Sequence, residues 1–274
     1  MTQLLFNVKT EIFINTKFSY LDNFIRRLPD DFSNSGELIY IGRNDVRVIK
    51  VNGLILAVKY FKQLTLANRY IYATIRKSKA RRAYEHTSLL LEKGITSPEN
   101  VAYINCYKYG MLYKAYYVSL YTDYKPFKDL LALPILETEG ALKAFARFTY
   151  KLHRNGVFHN DYNISNILYR FTDNQYDFSL IDNNRMSFLD YSCKKGMNSL
   201  KRFSVPIDIL GIIATEYAKE ASFNDYTILE FIVFIRWKQH MRSFIKGCLK
   251  APLRWIGKQR RVPISIAIRN QYVD

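Results

Sequence analysis

The segment His159 to Asn166, HNDYNISN, sets a carboxylate and an amide, Asp161 and Asn166, on one short polar loop that runs into the apolar Ile167-Leu168-Tyr169. A carboxylate on a rigid loop can take the proton of a substrate hydroxyl, and an amide five residues later can face the same space. Further on, the apolar Ser179-Leu180-Ile181 delivers Asp182 just before the polar Asn183-Asn184-Arg185. Two carboxylates and one amide around one space make an oxygen-rich donor set. Such a set suits Mg²⁺, which retains waters and substrate phosphates in its shell, and does not suit zinc.

Those side chains need elements to hold them. In Glu37 to Lys62, ELIYIGRNDVRVIKVNGLILAVKYFK, β-branched and apolar runs are separated by Arg43-Asn44-Asp45 and by Asn52-Gly53. Asn-Gly tolerates positive φ at both residues and signals a hairpin, so three antiparallel strands are predicted at Leu38 to Gly42, Val46 to Val51 and Leu54 to Phe61. The spacing from Asn68 to Gly94 predicts one long helix, with room for a break in its first half and Gly94 to end it. A second hairpin follows, Val101 to Tyr107 and Tyr113 to Leu120, turning around Gly110. After Tyr121 helical patterns take over, at Phe127 to Leu131 and Glu137 to Asn155, interrupted by two short strands around a polar turn. The expected class is α+β and bilobal: an extension over 1–36, a sheet with one helix over 37–121, and a mainly helical half over 122–274. The junction of two such halves is a usual place for a ligand.

The loop and the strand-end carboxylate resemble the protein-kinase-like superfamily, whose catalytic loop reads H-x-D-x-x-x-x-N and is followed by a metal-binding Asp at the end of a strand. The resemblance implies a bilobal kinase fold that uses ATP and Mg²⁺. It makes Asp161 the base, Asn166 and Asp182 the metal ligands, and His159 the brace of the loop. Lys59, in LAVKYF, takes the place of the lysine that meets the α- and β-phosphates. Its orienting partner should be a Glu on the next helix; no acidic residue occurs from Tyr60 to Tyr84, so Glu85 is the first candidate and Glu92 the second. The adenine would lie against the backbone of Ser119 to Thr122, which brings in Ser119 and Tyr121.

The departures from that pattern carry information. No G-x-G-x-x-G separates the first two strands; Gly42 stands alone in IGRND, so a short turn using Arg43 is expected to cover the phosphates. Asp182 is followed by no Phe or Gly, Asn163 stands where Ser/Thr protein kinases usually place a Lys, and no A-P-E follows. Asp208, in VPIDILG, resembles the Asp that supports the catalytic loop from a buried helix. These departures fit a kinase for a small molecule or a glycolipid better than a regulated protein kinase. The D-x-x-R turn Asp182 to Arg185, followed by Met186-Ser187-Phe188, resembles the bacterial lipopolysaccharide kinases that phosphorylate inner-core Kdo or heptose. The superfamily likeness covers roughly Glu37 to Tyr217, and it gives Arg185 a substrate-binding or loop-anchoring role.

Charge and composition narrow the context. Lys and Arg number 41 against 24 Asp and Glu, a formal +17 with pI near 9.6, in a chain of 274 residues. A 49% hydrophobic content and a mean hydropathy of −0.18 exclude disorder as the main state. Cys106, Cys193 and Cys248 lie far apart without CxxC spacing, which argues against a disulfide framework or zinc site. The N-terminus does not read as a signal peptide, and Glu230 interrupts the most apolar stretch, Tyr226 to Ile235. The expected location is cytoplasmic, with peripheral contact to the inner membrane.

From Phe231 to Val273 no acidic residue occurs, and Lys238, Arg242, Lys246, Lys250, Arg254 and Lys258 recur at four-residue spacing. Trp237, Met241, Phe244, Ile245, Cys248 and Leu249 form the opposing stripe. This reads either as a terminal helix packed on the second lobe or as a basic amphipathic surface. The latter would face anionic lipid or hold a lipid A core precursor as acceptor. Two other classes stay open: a kinase of the aminoglycoside or choline type, and a nucleic-acid-binding module built on the cluster Arg76, Lys77, Lys79, Arg81 and Arg82. No obligatory nucleic acid or protein partner is expected, and His86, His153 and His240 read as structural.

Overall fold

A computed structural model describes residues 8–248, except 63–64, 201–202, 204, 225–229, 231–232, 235, 239 and 246. The chain begins with β1 (Val8–Ile14), a 3-10 turn (Thr16–Leu21) and α1 (Asp22–Asp31). It continues through β2 (Glu37–Ile41), β3 (Asp45–Val51), β4 (Leu54–Tyr60), α2 (Leu66–Thr74), α3 (Lys79–Glu92), β5 (Asn100–Lys108) and β6 (Met111–Leu120). Next come β7 (Lys125–Pro126), α4 (Phe127–Leu130), α5 (Ile135–Arg154), β8 (Val157–His159), β9 (Ile167–Thr172), β10 (Gln175–Leu180) and β11 (Met186–Phe188). The last complete elements are α6 (Cys193–Leu200) and α7 (Ile207–Glu220).

Six antiparallel strands form one sheet in the order β1-β5-β6-β4-β3-β2. The three strands predicted around Asn52-Gly53 form within a residue of their expected limits, and both turn residues take positive φ, 47° and 78°. The second hairpin turns through Tyr109 and Gly110, also at positive φ. The helical stretch expected over 68–94 is broken in its first half, as the sequence allowed, into α2 and α3. Thr65 caps α2 by accepting from Asn68 N, and Ser78 starts α3 afresh by accepting from Arg81 N. Gly94, at φ +66°, ends α3 as expected.

Residues 8–34 do not stand apart as an extension. β1 pairs with β5 along its whole length. The apolar side chains Phe18, Leu21, Ile25, Leu28 and Phe32 then cover one face of the sheet, against Ile49, Leu56, Val58, Val101, Ile104 and Val118. Helices α2 and α3 cover other sheet residues through Tyr72, Ala80 and Tyr84, packed with Phe61, Tyr103, Leu112 and Ala115. A boundary at residue 36 therefore cuts through one hydrophobic core.

The helical half is organised by α5, whose Leu142, Phe145, Ala146 and Leu152 are fully buried, and by α7, with Ile213, Ala214 and Tyr217. Phe127, Phe145, Phe178, Tyr162 and Phe203 form its aromatic centre. Asp208 departs from expectation. It is exposed in the first turn of α7, where its carboxylate accepts from Ile209 N at 2.8 Å, an N-terminal helix contact and not a support of the catalytic loop. His153 is buried beside Tyr217 Oη at 3.0 Å, and burial pushes its pKa down to about 3, so it is a neutral core residue.

Candidate active site

The loop after β8 is fixed at both ends. Tyr162, directly after Asp161, is fully buried, with its ring edge-on to Phe203 at 5.0 Å. Thr149 Oγ1 donates to Phe145 O at 2.8 Å, so it accepts from Tyr162 Oη, also at 2.8 Å. Asn163 caps the turn Ile164–Asn166 by accepting from Ser165 N. Asp161 is thus carried on a backbone anchored in the aromatic core, while its side chain stays 44% exposed. Tyr162 received no role from sequence reasoning, although a large aromatic inside a polar loop is a sign of such an anchor.

His159 links this loop to the strand that bears Asp182. Its Nδ1 accepts from Asp161 N at 3.0 Å, which places the ring proton on Nε2, 3.4 Å from Ile181 O. Asn166 reaches in the other direction: Ile181 N donates to Asn166 O at 3.0 Å, and Asn166 Nδ2 donates to Asp161 O at 2.9 Å. Its Oδ1 has no protein partner among the described residues. Asn166 and Asp182 therefore sit at one end of the β9–β10 hairpin, with an amide oxygen oriented and unused.

Asp182 takes the left-handed conformation, φ 60° and ψ 42°, which Asp tolerates better than most side chains. Lys59 Nζ lies 2.7 Å from its Oδ1, and Asn184 Nδ2 donates to the same oxygen. Burial alone would raise the Asp182 carboxyl. The charge and hydrogen bond of Lys59 outweigh that, His159 and Arg185 add to them, and the carboxyl is held below its ordinary value. The neighbouring Arg185 accepts from Asn160 N through its carbonyl at 2.7 Å and places Nη1 3.4 Å from Asp161 Oδ2.

Glu85 lies elsewhere. Its carboxylate is held by Lys77 at 2.8 Å and Arg81 at 2.9 Å, and Arg81 reaches Glu11 on β1 at 3.5 Å. Lys59 is paired with Asp182, so the expected Lys59–Glu85 pair is not formed. Helix phase explains this. At about 100° per residue, Arg81 and Glu85 are centred about 110° around α3 from the arc of Lys79, Arg82 and His86. That arc meets the Asp182 turn: Arg82 Nη1 donates to Asn184 O at 3.1 Å and His86 Nδ1 to Asn183 O at 2.7 Å. Asn183 Nδ2 donates to Thr87 Oγ1 and Ser97 Oγ. Backbone and amide contacts, with no lysine–glutamate pair, join α3 to the site.

Gly42 and the exposed Arg43 occupy the turn between β2 and β3, where the Tyr40 ring lies over Gly42. Ser119 is buried near the end of β6, and Tyr121 is exposed just beyond it. Leu120 N donates to Glu99 O and Tyr121 N to Ile55 O, so the backbone donors left for a ligand begin at Thr122. Among the described residues no three His, Cys, Asp or Glu cluster as a metal site. The donors suited to Mg²⁺ are one carboxylate and one amide, Asp182 and Asn166, leaving the remaining positions to phosphate and water. A separate groove of about 540 Å³ between α5 and the β9–β10 hairpin, lined by Phe148, Lys151 and Tyr176 among others, includes none of these residues.

A profile of the lipopolysaccharide kinase (Kdo/WaaP) family matches residues 55–211, more than half of the chain and all of the site from Lys59 to Arg185. The chain belongs to the lipopolysaccharide kinase (Kdo/WaaP) family. It is a kinase, as the loop and strand-end motifs imply, and Gly42 and Arg43 lie outside the matched span. A solved structure described as WaaP in complex with acyl carrier protein aligns at TM-score 0.57 and 15% identity, covering 84% of this chain and 98% of that one. At that identity it shows that this lipopolysaccharide kinase family member has a kinase-like fold. The kinase domain of PknI from Mycobacterium tuberculosis aligns at TM-score 0.39 and 15% identity, covering 72% and 85% of the two chains. No curated protein sequence matches the chain.

Proposed function

We propose that this kinase transfers the γ-phosphoryl group of ATP to a hydroxyl of an inner-core lipopolysaccharide sugar, Kdo or heptose. The observation that carries this reading is the pairing of Lys59 with Asp182 at 2.7 Å beside a loop that presents Asp161 and a free Asn166 amide oxygen. Asp161 orients the acceptor hydroxyl and takes its proton while the new oxygen–phosphorus bond forms and ADP departs. Lys59 neutralises phosphate oxygens, and the backbone from Thr122 onward meets the purine. Asn166 and Asp182 would hold Mg²⁺, which supplies charge neutralisation at the phosphates when bound. His159, Tyr162 and the Arg185 carbonyl keep the loop in place.

The test is incubation with labelled ATP and Mg²⁺ over lipid A carrying Kdo, heptosylated core, an aminoglycoside and a generic protein. Label in a core sugar is expected. Label confined to protein or to the aminoglycoside overturns the acceptor assignment.

Surface chemistry supports work at an anionic membrane. Among the described residues no helix is long and apolar enough to cross a bilayer. Beyond α7, helical residues carry Phe234, Trp237, Phe244 and Ile245, each at least half exposed, alongside Lys238 and Arg242. The stripe therefore does not pack on the second lobe over these residues. Arg236 fastens this segment to the lobe by donating to Phe203 O and Val205 O. Exposed aromatics beside cations suit a lipid interface. The rest of the predicted basic row, Lys246, Lys250, Arg254 and Lys258, lies outside the described residues.

A further inference from the structure

The basic cluster from Arg76 to Arg82 is divided by its helix. Lys77 and Arg81 are spent on Glu85. Arg82 turns the other way, onto Asn184 of the Asp182 turn, Lys79 stands one helical turn before it on the same face of α3, and among the described residues neither forms an ion pair with a carboxylate. Asp182 is already taken by Lys59, and Asp161 faces Arg185. Lys79 is only partly exposed and close enough to Arg185, Asp182, Arg82 and Lys59 to feel each of their charges. Burial, then Arg185, Arg82 and Lys59, lower its ammonium pKa, with Asp182 offsetting them in part. The Arg82 side chain lies over the Tyr72 ring, and its buried Nε has no hydrogen-bond partner. This wall of the site thus holds two partly desolvated cations in excess of its carboxylates, an arrangement that costs stability unless an anion joins it.

We propose that Lys79, flanked by Arg82 and Arg185, forms a phosphate-binding subsite on the α3 wall of the active site, separate from the contact made by Lys59. Its ligand is a phosphate monoester or anhydride, carried either by the nucleotide donor or by an acceptor that is already phosphorylated. The subsite rests on the kinase reading of the cleft and deepens it, by giving one face of the site to a second anionic group. Lys79 is the binding residue. Arg82 also holds Asn184 O, so it positions the turn as well and is unsuited to a clean test.

The experiment compares the full-length protein with Lys79→Met, which keeps most of the side-chain length without its charge, and Lys79→Arg. Tripolyphosphate binding by calorimetry is expected to weaken about tenfold or more in Lys79→Met and to survive in Lys79→Arg. The melting temperature of Lys79→Met without added anion is expected to equal or exceed that of the unmodified protein, because an uncompensated cation has been removed; a fall of several degrees would make Lys79 a structural residue and overturn the proposal. Steady-state kinetics assign the source. A raised KM for ATP with tighter or unchanged acceptor KM identifies a donor phosphate, and the reverse identifies an acceptor phosphate. Unchanged tripolyphosphate affinity together with both KM values unchanged refutes the subsite while leaving the kinase reading intact. If the unmodified protein transfers no phosphate at all, the kinase reading fails and the tripolyphosphate measurement still decides the subsite.

Discussion

Lys59 Nζ and Asp182 Oδ1 lie 2.7 Å apart, while Glu85 on the neighbouring helix is turned away from both and held by Lys77 and Arg81. The lysine and the strand-end carboxylate thus neutralise one another directly. Under the proposed function, a polyanionic ligand entering with a divalent cation would take both sides of this pair, Lys59 meeting the phosphates and Asp182 the cation. The helix need not supply a charge for this, because its hold on the Asp182 turn runs through Arg82, His86 and Thr87.

Asp161→Ala removes the group proposed to take the acceptor proton and touches no core contact. Its kcat is expected to fall by about 100- to 10,000-fold, with melting temperature and ATP affinity little changed. Full turnover in this variant would refute the assignment of Asp161 as base.

Asp182 also sets an acid limit on stability. Its carboxyl titrates below the ordinary value in the folded chain, so the folded state binds fewer protons than the unfolded state near that pH. The stabilisation from the Lys59 pair is therefore present above the unfolded carboxyl pKa, near 4, and is lost as pH falls through the lower folded value. Asp182→Asn should flatten this part of a melting-temperature profile between about pH 5 and pH 2 and weaken Mg²⁺-dependent nucleotide binding. An unchanged profile and unchanged metal dependence would count against the role.

Glu85→Gln should leave kcat within about threefold of the unmodified enzyme, since the carboxylate does not reach Lys59 and its ion pairs are partly exposed. A loss of 100-fold or more would mean that the helix rotates to deliver Glu85 during turnover.

Glu11→Ala acts through the sheet. Tyr103, Asn105 and Tyr107 all donate to this carboxylate at 2.9 to 3.1 Å, and these hydrogen bonds hold it below its ordinary pKa although burial opposes them. Removing it strands three donors and should lower unfolding stability by about 1 to 3 kcal/mol in urea titration. No change would mean that β1 contributes little to the sheet.

Trp237→Ser with Phe244→Ser should reduce sedimentation with vesicles containing anionic lipid and leave transfer to a soluble core oligosaccharide unchanged. Unchanged sedimentation with the anionic vesicles after both substitutions would remove the proposed membrane role.

Much of the site could be read along the chain because its residues sit close together in sequence, on a loop and a strand end whose types announce themselves. His159, Asp161, Asn166 and Asp182 fall within one hairpin-sized stretch, and the Asn52-Gly53 turn fixes the register that places Lys59 on β4. Gly94 marked the end of α3 because its positive φ is a local property. Local conformational preference and short-range spacing were enough for these features.

Tertiary structure alone decided which charges meet. In sequence, Glu85 is the first acidic residue after Lys59, and Arg76 to Arg82 is an undivided basic run. The break between α2 and α3, capped by Ser78, set the phase of the helix, and burial of Ala80, Ala83 and Thr87 fixed which side faces inward. That rotation sent Glu85 toward Lys77 and Arg81 and left Lys79 and Arg82 facing the Asp182 turn. Strand β1 became part of the sheet for the same reason, since an apolar helix face and an unpaired strand edge find partners only across long sequence distances. Residue types name the chemistry; the packing of apolar side chains, which has no local signature, chooses the partners.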